Sequence, residues 1–211
     1  MYHFSKEHFA GLERFYRANL LNSLSGFKAT HLVATINKYG VPNLSLFHNV
    51  VHLGADPALI GMLNRPLAAA PHTLANIEAT DGWTMNSVHP AILEKAHQCS
   101  AKYEEGVNEF EAVGLTAEYK NNCPVPVVAE SAVQYALQLV EIIPIKHNST
   151  FFIIGSIEQI WVNEDLVQPD GFLQLDKAEV VTSTGLDAYF TTRFEARMKY
   201  AKAGEEARRL D

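Results

Sequence analysis

The residues of this chain best able to do chemistry crowd into the stretch from 43 to 76. Asn43 and Ser45 lie in an extended run beside a Gly turn. Asn64-Arg65-Pro66 follows some twenty residues later, and then His72-Thr73-Leu74-Ala75-Asn76-Ile77. Thr73 has the residue type of a helix N-cap, and the free N–H groups of a helix N-terminus favour an anion. An arginine in the preceding loop adds paired donors that suit a phosphate. Ser45 would add a hydroxyl if its strand runs alongside. On these residues alone, an ordinary cap with a solvated arginine is the commoner meaning.

Other chemistries leave no such trace. No two glycines are separated by a single residue, and no Gly precedes a Lys followed by Ser or Thr, so both standard nucleotide fingerprints are absent. His48 and His52 are four apart, but LSLFHNVVHL reads as a strand, where that spacing separates the rings by roughly 13 Å. With no H-E-x-x-H and no Cys/His cluster, no metal site is expected. No serine sits in G-x-S-x-G. The formal charge is −7, from 17 Lys+Arg against 24 Asp+Glu. A broad cationic face for nucleic acid is therefore not expected, although a local spot for one small anion fits.

The elements that must position these residues are mostly strands. HLVATI (31–36) is apolar and β-branched, and Lys38-Tyr39-Gly40 signals a turn. A second extended run covers 43–53 and a third, ALIGML, covers 58–63, which together read as an antiparallel meander. A short helix is expected over 73–79, a strand over 83–88, a helix from Pro90 to about Ser100, and a short helix over 109–113. Two long apolar stretches, 133–145 and 151–162, read as paired strands. Helical spacing predicts peripheral helices at about 5–24, capped by Ser5, and at about 186–210. The expectation is a single domain, 1–211, with its core at about 20–185. It would be mainly β with peripheral helices, about six strands closing into a small barrel. Cys99 and Cys123 read as two reduced thiols. Met1–Ala10 lacks the pattern of a secretory leader and no apolar run reaches bilayer length, so a cytoplasmic protein without a membrane partner is expected.

The sequence resembles the flavin reductase-like, FMN-binding split-barrel family. The resemblance runs from Leu21-Asn22-Ser23-Leu24 and HLVATIN through Tyr39-Gly40-Val41-Pro42-Asn43 and LSLFHNVVHLGADPALIGML. It continues through Arg65-Pro66, His72-Thr73 and Asn76-Ile77, and then AHQCSAKYEEGVNEFEAVGLT and TFFIIGSIEQIWV. It covers roughly residues 20–165, and its strength lies in the ordered set of landmarks. It implies an antiparallel split barrel, a homodimer, and one FMN per subunit. Arg65 and Thr73, with Ser45, would hold the flavin phosphate, and the strand from Leu46 through Phe47, His48 and Asn49 would present backbone groups to the ring. Asn43, Asn64, His72 and Ser100 complete the implied cofactor-binding set. NADH or NADPH would be the transient donor and a flavin or related small molecule the acceptor. A non-catalytic electron carrier of flavoredoxin type is the alternative.

The chain departs from the family pattern at three places, of which the last two bear on that choice. Ala58 replaces the second Pro of the family's D-P-P. His48 and Asn49 stand where small hydroxyl residues are usual, and Thr150 stands where many members carry a His. Cys99 reads as a small buried hydrophobe, and Trp83 and Trp161 as core or interface aromatics. Phe194, Met198 and Tyr200 would form the apolar face of the C-terminal helix, docked on a partner subunit.

Overall fold

The computed structural model describes residues 1–210. Two short helices, α1 (Lys6–Ala10) and α2 (Arg14–Ser23), stand where one helix over 5–24 was expected. The break falls at Gly11–Glu13, where the Glu13 carboxylate accepts from the N–H groups of Phe15 and Tyr16 and starts the chain afresh. Ser5 does cap α1, accepting from His8 N–H at 3.3 Å.

Strands follow: β1 (Lys28–Ala29), β2 (His31–Ile36), β3 (Pro42–Phe47), β4 (Val50–Ala55) and β5 (Ala58–Asn64). After α3 (Pro71–Thr80) and β6 (Gly82–Ser87), a turn of 3₁₀ helix at Pro90–Ile92 leads into α4 (Leu93–Gln98). Next come α5 (Glu109–Val113), the two-residue strands β7 (Ala117–Glu118) and β8 (Val127–Val128), and the long hairpin of β9 (Val133–Ile145) and β10 (Thr150–Val162). A last hairpin, β11 (Val181–Thr184) with β12 (Ala188–Thr191), pairs with β1 in a small three-stranded sheet.

The main sheet is antiparallel, with the order β3-β2-β6-β9-β10-β5-β4. Here the expected three-strand meander is corrected. The run 43–53 is not one strand: it breaks at His48-Asn49, and its halves occupy opposite edges of a seven-stranded sheet. Seven flat strands would put those edges roughly 29 Å apart, whereas the link from Phe47 to Val50 reaches about 10 Å. The sheet must therefore curl until its edges nearly meet. The two edges form no ladder with each other, and that seam is the split of a split barrel. Beside it, Leu63 N–H donates to the Asn49 carbonyl at 2.9 Å.

Packing explains the unbroken apolar run HLVATI, because β2 has both faces covered. Inside the barrel, Val33 meets Phe47, Met62, Met85, Trp83 and, from α3, Leu74 and Ile77. On the outer face, Leu32, Ala34 and Leu44 pack with Ala96 and Cys99 of the α4 region and Phe110 of α5. Trp83 is thus core, as expected of it. It also explains Gly155 on β10, where any Cβ would fall into the Trp83 ring.

The C-terminal helix over 186–210 does not form. β12 takes up residues 188–191, and the rest is extended, doubling back past Gly204 so that Met198 bridges Arg209. Arg197 ties it down through a 2.7 Å ion pair with Asp170 and by lying over the Phe172 ring. An amphipathic helix draws its stability mainly from a surface on which to bury its apolar face. Phe194, Met198 and Tyr200 find none within the chain and stay exposed.

Candidate functional site

A cleft of about 540 Å³ opens along the seam, at the free edge of β3. One wall is the Arg65–Thr73 segment, the other the end of α4 with the 99–103 loop and Glu109, and the tip of the β11–β12 hairpin closes one side. Asn43, Ser45, Leu46, Phe47, His48, Asn49, Arg65, His72, Thr73 and Ser100 all line it.

The β3 edge gives the cleft its backbone chemistry. Leu44 N–H points away from β2 and donates to Glu109 Oε2 at 2.9 Å. Groups two residues apart on a strand share a direction, so the N–H and C=O of Leu46 point away from β2 as well. A flat heterocycle laid against this edge would meet a donor and an acceptor side by side. Asn43, Ser45 and Phe47 lie on the other parity, paired to β2 at Thr35, Val33 and His31.

The opposite end of the cleft suits an anion. Pro71 opens α3, so the N-cap is Ala70, which has no side chain to offer. Thr73 is therefore corrected from N-cap to third helical residue, with its side chain buried. The N–H groups of His72 and Thr73 have no protein partner among the described residues. Arg65 is exposed beside them and makes no ion pair among those residues. Asn64 is the one proposed site residue that stays out of the cleft. Buried at the end of β5, its Nδ2 donates to the carbonyls of Arg65 at 2.8 Å and Ala70 at 3.2 Å, which pins the loop presenting Arg65.

Several lining groups were not visible in the sequence. Glu109 is 4% exposed. Burial, partly offset by its bond to Leu44 N–H and by nearby His72, raises its pKa. It is the first residue of α5, whose N-cap is Asn108. Lys28 and Lys102 add positive charge to the walls. The hairpin tip, Gly185–Asp187, is held over the site by two long-range contacts. Ser183 Oγ and His48 Nδ1 share a hydrogen bond at 2.6 Å, and Tyr189 Oη reaches His97 Nδ1 at 2.7 Å. Burial, with the positive charges of Lys28, His97 and Arg65, pushes the pKa of His48 down to about 4. The imidazole is neutral at pH 7.

Cys99 is the small buried residue that the sequence leads one to expect, and Thr150 lies away from the site. Cys99 lines the cleft, yet burial and the neighbouring Glu109 push its thiol up to about 12, so it is no thiolate nucleophile. Thr150 is the first residue of β10, outside this chain's cleft, with its hydroxyl donating to Asn148 Oδ1 at 2.7 Å.

The fold is a split antiparallel barrel whose seam joins a free strand edge to a helix terminus flanked by an exposed arginine. Within that class the chain belongs to the flavin reductase-like family, whose domain model matches residues 26–178. It is similar to a split-barrel protein of Shewanella frigidimarina NCIMB 400, itself assigned as a flavin reductase by inference. Identity is 45% over 95% of this chain and 100% of that one, with a TM-score of 0.92. The 2-nitrobenzoate 2-nitroreductase of Pseudomonas fluorescens matches at 20% identity, 97% and 99% coverage and TM-score 0.81. Flavoredoxin of Desulfovibrio vulgaris (Miyazaki F) matches at 22%, 85% and 92%, and TM-score 0.69. These last two likenesses are of fold.

Proposed function

We propose that this chain is an FMN-binding oxidoreductase that takes hydride from NADH or NADPH and passes electrons to free flavin or a related small acceptor. The observation that carries the reading is the cleft itself. One volume of about 540 Å³ joins the β3 edge to Arg65 and the uncapped end of α3. Pockets of roughly 300–1,000 Å³ hold ligands of this size.

In this reading Arg65 and the N–H groups of His72 and Thr73 hold the phosphate, and Ser45 supports it. The Leu44–Leu46 edge meets the polar rim of the ring. Bound FMN supplies the hydride-accepting chemistry, and the protein's part is to bind, orient and tune it. Neutral His48, hydrogen-bonded to Ser183, forms a wall of the cleft without adding to the positive charge of Arg65, Lys28 and Lys102.

A carrier that exchanges electrons with a protein partner is the second reading. It is favoured by the bulk of His48 and Asn49 and by the hairpin tip at the cleft, which narrow the room for a nicotinamide. Hydride transfer requires near-contact geometry between donor and ring. Anaerobic stopped-flow mixing of FMN-loaded protein with NADH and then NADPH separates the two. An enzyme bleaches within seconds with at least one donor. Bleaching by dithionite alone sinks the reductase in favour of the carrier, and His48→Ser then tests whether the imidazole blocks the donor.

We further propose a homodimer, supported by exposed apolar side chains on the barrel wall at Val51, Leu53, Val140, Ile143 and Ile160. Two free cysteines support a cytoplasmic setting. Among the described residues no helix is long and apolar enough to cross a membrane.

A further inference from the structure

The flavin reading leaves one side of the cleft without a role. Leu21 and Asn22 at the end of α2, Lys28 of β1 and the Gly185–Asp187 tip of the β11–β12 hairpin line it. Contacts between these segments hold the side together. Lys28 is paired across β1 and β11 with Ser183, whose hydroxyl shares a hydrogen bond with His48. Lys28 Nζ donates to the Asn22 carbonyl at 3.2 Å. Phe27 meets Phe190 edge to face, 4.9 Å between centroids, which fastens the turn between α2 and β1 to the hairpin. Of the lining residues just named, all but Lys28 lie outside residues 26–178, the span of the family domain.

Two chemistries meet on this side. Leu21 and Leu186 line the cleft yet are 40% and 55% exposed, so both present apolar surface to water there. Lys28 is half-buried and makes no ion pair among the described residues. Of its three donor positions, the one used among those residues goes to a neutral carbonyl. Its charge reaches His48 and helps to keep that imidazole neutral, so the ring offers no counter-charge. Asp187 is exposed at the hairpin tip and does not pair with it. A cation drawn partly out of water without a carboxylate is costly until an anion joins it.

We infer that this side is the acceptor subsite and takes a small planar aromatic acid, its ring against Leu21 and Leu186 and its carboxylate or sulfonate on Lys28. This role rests on the flavin reading of the rest of the cleft and narrows the acceptor to one chemical class. His48 and the hairpin tip restrict the space, which favours one or two rings over a second flavin. A charge-assisted contact to a half-buried ammonium is stronger than one at an open surface. For a quinone acid the exchange balances with the donor already named. NADH or NADPH supplies a hydride, and with it both electrons, while water supplies one proton. The two ring carbonyls become hydroxyls, and the nicotinamide leaves oxidised.

The test uses full-length protein saturated with FMN, titrated calorimetrically with 2-naphthoate and with its uncharged counterpart 2-naphthamide. The naphthoate should bind about tenfold more tightly, the scale of one charge-assisted contact. Lys28→Gln keeps a donor for the Asn22 carbonyl and should abolish that preference. Leu186→Ala should weaken both ligands alike, and thermal melts check that the variants fold. Protein reduced with stoichiometric dithionite is then reoxidised without oxygen by a naphthoquinone sulfonate, a step that saturating naphthoate should slow about tenfold or more. Equal binding of the two ligands, or a preference that survives Lys28→Gln, overturns the subsite and leaves the flavin reading standing. Reoxidation indifferent to naphthoate overturns the acceptor role. Failure to bind FMN overturns the flavin reading, and the acceptor role with it.

Discussion

Arg65 is exposed and unpaired among the described residues, and it stands beside a helix terminus that lacks a cap. A cation so placed does little for the folded chain, and in the proposed function it holds the flavin phosphate. Arg65→Ala should weaken FMN by about 1.5–3 kcal/mol, the scale of a charge-assisted contact, and leave riboflavin almost unchanged. Calorimetric titration of both ligands checks this. Equal losses would mean that Arg65 acts on something other than the phosphate. His31 and His48 set a second residue-scale property. Burial pushes both pKa values from 6.5 to about 4, helped at His48 by the charges of Lys28, His97 and Arg65 and at His31 by the cost of protonating it beside His48. The unfolded chain therefore binds more protons than the folded one between those limits. The stability they confer is complete above about pH 6.5 and is lost as pH falls towards 4. The loss is on the order of 2–3 kcal/mol for His31 and less for His48, which solvent partly screens. Glu109 works in the other sense, because its raised pKa favours the folded state as the carboxyl takes up a proton. Urea midpoints at pH 7, 5.5 and 4.5 should fall in that order, and His31→Gln should flatten the trend.

Among the elements, β10 and the β11–β12 hairpin show how the strands constrain one another. Gly155 lies on β10 against the Trp83 ring of β6, with β9 between the two strands in the sheet. Gly155→Ala forces the indole or the strand to move inside a packed barrel. A cost of about 1–3 kcal/mol is expected from overpacking, read as a lower urea midpoint with unchanged slope. Glu109 does comparable service for β3. It occupies the first outward N–H of an edge strand, and so blunts the edge while leaving Leu46 free for a ligand. The terminal hairpin lies beyond residues 26–178, the span of the family domain, yet it reaches back to the cleft through Ser183 and Tyr189.

For the whole molecule, the main question is what covers the barrel wall. The expected C-terminal helix is absent, so no helical face is available for a partner subunit. The apolar side chains of β4, β9 and β10 remain exposed instead. Light scattering at micromolar concentration should give about twice the 23.4 kDa chain mass. Ile143→Glu, which places a charge on that wall, should shift the particle towards the single-chain mass. A parent protein that is monomeric at every concentration would contradict the dimer.

Much of this protein was legible along the chain because local order carries it. β2, β9 and β10 follow from apolar and β-branched runs, and α5 is found where its pattern placed it. Arg65, His72 and Thr73 lie within nine residues of one another, so a single loop and one helix turn suffice to gather them. What tertiary structure decided lies at long range. Nothing in LSLFHNVVHL marks His48-Asn49 as a break, since no Gly or Pro interrupts it. Only closure of the sheet divides that run between two edges. The Glu109–Leu44 contact spans 65 residues and the Ser183–His48 contact 135. Residue spacing encodes what neighbours can do within one element. It carries no record of which distant strand will lie alongside. The tail shows the converse: its helical spacing is real, but a helix needs a surface to bury its apolar face, and the folded chain offers it none.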